Sequence, residues 1–425
     1  MSTLKFFSGL KQGVGLTRLI MSAAIGLSVL LSVQGTAEAQ KPNIKIGVLT
    51  FVSGSGAAEG EEGVRGAQMA VDELNADATS NYGFELVLGD VREQSTEAVV
   101  SAFERLSGDP EVQVIIGSYP STTNFEIEYM AEAKMLYLIG GNAEQTRAII
   151  EPDPNKYPTV WSLAPLYKAY GLVPPHHLEE MRQQGLFKLN NKKVAIVAAD
   201  NAWSMAMYQD MKPEFEKLGW TITVDEVVPA SEISDWRPIL NKIRQDPPDV
   251  IAYIDYALNN AVAFQNQFMQ DPTPSLMISV YPPSIPEYRK LTGKNSDGVV
   301  ADIMMYPVQY EGYDDCPRFK TAFKERYGVE TGSQGAVLYE LVKLYDTGLR
   351  QVGDPKDRMA VADAISKLKI ETMFGHLEFD PKTHLARWGE DYFPLQFLQV
   401  RDGDIFTFWP DKYANGEYMT PPWMN

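Results

Sequence analysis

The sequence predicts an α/β protein with two doubly wound lobes, each built on a parallel sheet. Three observations carry that expectation. Short runs of aliphatic and β-branched residues alternate with stretches whose apolar residues recur at spacings of three and four. The connections between them are short, as right-handed crossover units require. The alternation also runs twice, once before and once after a proline-rich interval at 151–158, with no repeat visible residue by residue.

The first unit spans 44–76. The run I-K-I-G-V-L-T-F-V stops at a cluster of Ser and Gly, and Val64, Ala67, Val71 and Leu74 then place an apolar face on a helix. The loop between lies at the C-terminal end of a strand and the start of a helix, where sheets of this class bind small molecules. A strand at 84–90 follows, then a helix faced by Ala98, Val99, Ala102, Phe103 and Leu106. Residues 112–116 form a short strand ending at Gly117. S-Y-P-S-T-T-N leads into a helix that reaches 133, and a strand at 135–139 runs into G-G-N-A-E.

The second series has strands at 193–198, 221–228, 250–254 and 276–279, with helices at 207–218, 236–244 and 259–269. A strand at 298–305 and helices at 318–327, 336–348 and 359–368 come next. Strands at 377–379, 395–400 and 405–408 end the series, the last two joined by the turn signal Asp402-Gly403. Their lobe is left open by the local pattern.

Composition narrows the class of partner. Of 425 residues 44% are hydrophobic and 22% charged, in the globular range and enough for two domains. A formal charge of −18 argues against nucleic acid or an anionic membrane surface as the main partner. Residues 1–39 read as an export signal. Lys5, Lys11 and Arg18 precede or flank an apolar run at 19–33, and Ala37-Glu38-Ala39 offers an A-x-A cleavage site. Removing them takes away a net +2 and leaves −20. Cys316 is the only cysteine, so no intrachain disulfide can form, and its reading is a buried or incidental thiol. No cysteine in the leader offers a lipid anchor, and a soluble periplasmic protein is the expectation.

Two enzyme readings compete with a binding role. Gly54, Gly56 and Gly60 form a G-x-G-x-x-x-G between strand and helix, near the fingerprint of an NAD-dependent oxidoreductase. Against it, Glu59, Glu61 and Glu62 crowd the helix start where a pyrophosphate would sit. A hydrolase has less support. His176, His177, His376 and His384 lack a metal-ligand spacing, no G-x-S-x-G elbow is present, and surface histidines are expected.

Order and spacing of several motifs resemble the type I periplasmic substrate-binding proteins of ABC importers, in the branched-chain amino-acid-binding group. The matching stretches are I-K-I-G-V-L with G-A-Q-M-A-V-D-E-L-N, V-I-I-G-S-Y-P-S-T-T, V-A-I-V-A-A-D-N-A-W-S, P-P-D-V-I-A-Y and F-G-H-L-E-F-D-P-K-T-H. The resemblance covers residues 41–409. It implies a hinge of three crossings, with lobe 1 at 41–160 plus 305–383 and lobe 2 at 161–304 plus 384–425. It also implies a small organic solute held between closing lobes, an amino acid or a related amide or carboxylate. The partner would be the ABC permease membrane subunits. A monomer with no cofactor, no metal and no catalytic residue is expected. The same module serving a sensor or regulator, or a ligand without an ammonium group such as an aromatic acid, stays open.

Carried over by position, the resemblance assigns ligand contact to Ser121 with its neighbours Tyr119 and Thr122, and to Asn142 and Ala143. Ser121 also suits a helix cap. Glu144 departs from the pattern, since a carboxylate there would repel a ligand carboxylate. On the second lobe the positions are Trp203, Asp200, Tyr256 and Tyr281. The acid that holds an ammonium group in relatives is missing at Tyr281-Pro282-Pro283, which leaves Asp200, Asp255 or Glu59 to replace it. Glu59 faces either the cleft or the solvent at its helix N-terminus.

Overall fold

A computed structural model describes residues 41–54, 56–92, 94–186, 188 and 190–424. The expected export signal at 1–39 lies outside the described residues. The first run of elements is β1 (Asn43–Thr50), α1 (Ala57–Ala76), β2 (Gly83–Asp90), α2 (Thr96–Ser107), β3 (Val112–Gly117), α3 (Glu126–Glu132), β4 (Leu136–Ile139), α4 (Ala143–Ile150) and β5 (Val160–Ser162). Its strands form one parallel sheet in the order β2-β1-β3-β4-β5. The order reverses between β1 and β3, which opens a crevice at their C-terminal ends.

The second run is α5 (Lys168–Gln183), β6 (Lys193–Asp200), α6 (Ala202–Lys217), β7 (Thr221–Pro229), α7 (Arg237–Gln245), β8 (Val250–Ile254), α8 (Leu258–Phe268), β9 (Leu276–Ser279), α9 (Pro286–Thr292) and β10 (Val300–Ile303). Then come α10 (Cys316–Tyr327), α11 (Ser333–Val352), α12 (Arg358–Ser366), the hairpin β11 (Lys369–Thr372) and β12 (Gly375–Glu378), and finally β13 (Gln396–Arg401) and β14 (Asp404–Trp409). The second sheet has the order β14-β13-β10-β9-β8-β6-β7.

Purely parallel sheets were expected, and the second departs from this at one edge. β13 pairs antiparallel with both β10 and β14. The β13–β14 pair is closed by the two-residue turn Asp402-Gly403, whose residues both have positive φ (50° and 83°), as tight hairpins need.

The chain passes between the sheets three times, after β5, after β10 and after β12. The first and third passages lie side by side. Ser162 N–H donates to His384 O and Ala386 N–H to Ser162 O, both at 2.8 Å. The His384 ring stacks on Trp161 at 4.1 Å, with Nδ1 3.0 Å from Val160 O. His384 and His177 are both buried, contrary to the expectation of surface histidines. His177 packs at 4.5 Å against both Phe397 and Trp409, and burial lowers its pKa to about 4. A neutral imidazole fills such a slot as an aromatic.

The helices that follow β10 return to the first sheet. Ile44, Ile46 and Val48 share a core with Ala67, Val71 and Leu74 of α1 and Leu341 and Tyr345 of α11. Each buried Ile, Val or Leu among them contributes roughly 1.5–3 kcal/mol by leaving water. Glycines let α1 and α11 approach: a Cβ on Gly66 would lie 1.8 Å from Gly335 O. Cys316 is buried under this layer, and burial raises its thiol pKa to about 11.

Candidate functional site

The loops after β1, β3, β6, β8 and β9 meet between the two sheets, with Glu59 at their centre. Glu59 stands in the first turn of α1 because the chain after β1 turns back onto that helix. A Cβ on Gly60 would lie 1.9 Å from Phe51 O. Packing against the Phe51 backbone therefore accounts for that glycine without a phosphate.

Two tyrosines reach the same Glu59 oxygen from opposite sides. The Tyr119 hydroxyl, after β3, donates to Oε2. The Tyr281 hydroxyl, after β9, donates to it at 3.4 Å. Burial raises the Glu59 pKa above the usual carboxylate range, against the lowering effect of the two phenols. Burial likewise raises Glu62, one turn further on, to about 7, although Gly335 N–H donates to it at 2.8 Å. Both carboxylates stay partly exposed, and repulsion from Glu59 adds to the effect of burial at Glu62.

Tyr281 holds a backbone conformation that side chains rarely adopt, with φ 75° and ψ −60°. Its N–H donates to Asp302 O at 3.3 Å, and its carbonyl accepts from Ser284 N–H at 2.9 Å and Ser284 Oγ at 2.7 Å. Such strain costs about 1–3 kcal/mol and persists where the surroundings impose it. Here it aims the ring at Glu59.

An aromatic wall continues from Tyr281. Trp203 lies 6.3 Å from its ring, 5.8 Å from Tyr256, 6.1 Å from Tyr170 and 6.4 Å from Tyr167, at steep interplanar angles. On the opposite side Phe51 packs on Tyr119 at 5.5 Å. A space of about 10 Å³ beside Glu59, Tyr119 and Gln334 is lined by residues of the first sheet's side alone, with room for about one water.

A second cluster surrounds Ser121. Its hydroxyl is buried and donates to Glu126 Oε2 at 2.6 Å, while Tyr137 donates to the other oxygen at 3.1 Å. Asn142 Nδ2 donates to Ser121 O at 2.6 Å and to Asn124 Oδ1 at 3.0 Å. Ala143 N–H, at the start of α4, donates to the Tyr167 hydroxyl at 3.2 Å. Glu144 is helical, in the first turn of α4, where it pairs with Arg147 at 3.2 Å and accepts from Tyr167 N–H at 3.3 Å.

Of the residues assigned by resemblance, the fold brings together Glu59, Tyr119, Tyr281, Trp203 and Tyr256. It gathers Ser121, Asn142, Ala143 and Glu144 in the second cluster, and Tyr167 joins the two. Thr122 and Asp200 are exposed and take no part in either hydrogen-bonded cluster. Asp255 is buried and caps its own turn, accepting from Ala257 N–H and Asn260 Nδ2 at 3.0 Å each.

Sequence reasoning missed Phe51, Tyr167, Tyr170 and Gln334, and singled out Glu62 only as an obstacle to a pyrophosphate. Gln334 accepts from Ser118 Oγ at 2.6 Å across 216 positions of chain. Asp302 was missed too. It is wholly buried in β10, and no other described residue hydrogen-bonds either oxygen. Among the described residues no group of three or more His, Cys, Asp or Glu is placed to hold a metal ion. No helix among them is long and apolar enough to cross a membrane.

Comparison with known proteins places this geometry in context. Residues 43–404 match the family described as periplasmic binding protein. The Leu/Ile/Val-binding protein homolog 8 of Brucella abortus (strain 2308) is 25% identical over 421 residues, covering 94% of this chain and 98% of the relative. The structure of a putative branched-chain amino acid ABC transporter from Silicibacter pomeroyi is 27% identical. It superposes with a TM-score of 0.81 over 90% of this chain and 100% of that one. The substrate-binding protein LivJ of Streptococcus pneumoniae, in complex with isoleucine, shares the fold at 19% identity. Its TM-score is 0.68, over 85% of this chain and 97% of that one.

Proposed function

The chain belongs to the periplasmic binding protein family, and on that premise we propose that it captures a small organic solute for an ABC importer. The solute sits between lobe 1, residues 41–160 plus 305–383, and lobe 2, residues 161–304 plus 384–425. The observation that carries the reading is the Tyr119–Glu59–Tyr281 bridge, which ties a loop of the first sheet to a loop of the second. Groups from both sides that converge on one atom gain contacts only when the lobes are together. A solute that adds contacts of the same kind shifts the balance toward closure by its differential affinity, and by no more than that.

The proposed contacts are Glu59, Tyr119, Trp203, Tyr256 and Tyr281, with the Asn142–Glu144 start of α4 bordering them. Residues 1–39 act as a cleaved export signal, and the mature chain works in the periplasm as a non-enzymatic monomer. Its closed form is what the permease membrane subunits recognise. The relatives' names bring forward amino acids and related amides or carboxylates as the first class to screen.

A thermal-shift screen of the mature chain over amino acids, amides, amines and acids tests this. A true solute raises the melting temperature in proportion to RT ln(1 + [L]/Kd), and Trp203→Ala weakens the response. A panel that leaves the melting temperature unmoved, or turnover of any bound compound, would overturn the reading.

A further inference from the structure

Resting on the solute-capture reading, we propose that the solute is an organic cation. Its ammonium sits between the Glu59 carboxylate and the rings of Tyr119, Tyr281 and Trp203, and it needs no carboxylate of its own. Three independent observations lead there.

The first is charge. Glu59 and Glu62 sit one turn apart on α1, and neither forms an ion pair among the described residues. Arg65, the nearest base on the same helix, pairs with Glu61 instead. The two carboxylates repel one another, and burial disfavours the charge of each. A cation placed between Glu59 and the rings relieves both penalties at once.

The second is the wall. Trp203 stands steeply to both Tyr256 and Tyr281, and the Tyr281 hydroxyl reaches Glu59, so the wall presents ring faces as well as edges next to that carboxylate. Ring faces carry negative potential and attract ammonium groups, indole most strongly. Tyr256 is 46% exposed, so the wall meets solvent at that ring.

The third is the state of the groups that would hold a carboxylate. The Ser121 hydroxyl is already given to Glu126, an internal carboxyl. The Ala143 N–H is taken by the Tyr167 hydroxyl. Glu144 occupies the first turn of α4 and offsets the positive end of that helix. A solute carboxylate there would have to displace Tyr167 and then face Glu144. The groups that would receive a carboxylate are thus already engaged within the chain.

The test is titration calorimetry of the mature chain with matched sets of solutes. One set is 2-methylbutylamine, isoleucine, 3-methylpentanamide and 3-methylpentanoic acid. The same four-way matching is applied around a benzyl core. The expected result is that an amine binds at least as tightly as its amino acid and at least tenfold more tightly than its amide or acid. Glu59→Gln should weaken the amine by at least tenfold, while Glu61→Gln leaves it unchanged. An acid or amide that outbinds its matching amine, or an amine indifferent to Glu59→Gln in a folded variant, overturns this inference and leaves solute capture standing. Silence of every set on the wild-type chain overturns solute capture itself, and this inference with it.

Discussion

Asp302→Asn separates the charge of a buried carboxyl from its shape. Asp302 is wholly buried in β10, and no other described residue hydrogen-bonds its oxygens. Burial raises its pKa from 3.8 to about 8. Between those values the unfolded chain has released the proton and the folded chain still holds it. Folding then binds a proton, so the contribution of Asp302 is most favourable below pH 3.8 and is lost as pH rises toward 8. The slope is about 1.4 kcal/mol per pH unit. From pH 5 to pH 7 the wild-type chain should therefore lose about 3 kcal/mol that the Asn variant does not lose. The amide brings its own penalty for unpaired polar atoms, roughly 1–3 kcal/mol. That penalty does not depend on pH and cancels when the two pH values are compared. Urea unfolding of both proteins at pH 5 and pH 7 reads the difference as a change in midpoint at constant slope. A stability gap between variant and wild type that stays the same within about 0.5 kcal/mol at the two pH values would show that Asp302 is hydrated or paired in the folded chain.

Three further outcomes are expected. Gly66→Ala adds a Cβ that would sit 1.8 Å from Gly335 O, so the gain of about 1 kcal/mol in helix propensity should be outweighed. Net destabilisation of roughly 1–3 kcal/mol in urea is predicted, and a more stable variant would mean that α1 and α11 separate freely. Ser121→Ala leaves buried Glu126 with only the Tyr137 hydroxyl. A loss of about 1–3 kcal/mol in stability with unchanged solute affinity should follow, and the opposite pattern would restore Ser121 as a direct contact. Tyr281→Phe removes one of the two phenols on Glu59. Solute affinity should fall severalfold with the melting temperature of the free chain nearly unchanged, and an unaltered affinity would rule the bridge out of closure.

Much of the fold could be read along the chain because its elements announce themselves locally. The apolar spacing of Val64, Ala67, Val71 and Leu74 appears as the buried face of α1. The runs at 112–116 and 250–254 are the fully buried strands β3 and β8. Where reading failed, a local signal pointed the wrong way. Pro174 and Pro175 lie inside α5, although proline ordinarily breaks a helix, and that helix was not foreseen. β5 and α4 were missed because three and eight residues carry too little periodicity.

The sequence by itself determined the alternation of strand and helix and the loops at the strand ends, since period and turn chemistry act over a few residues. It also held the anomalies that matter: three glutamates after the first strand and no acid after the ninth. Only the tertiary structure decided what those anomalies do. It brought Tyr119 and Tyr281 to one oxygen of Glu59 from 60 and 222 positions away. It turned Ser121 toward Glu126, gave Ala143 to Tyr167, and buried Asp302 and His177. Burial and pairing of charge depend on which distant segments arrive at a point, and sheet order and the three crossings set that arrival.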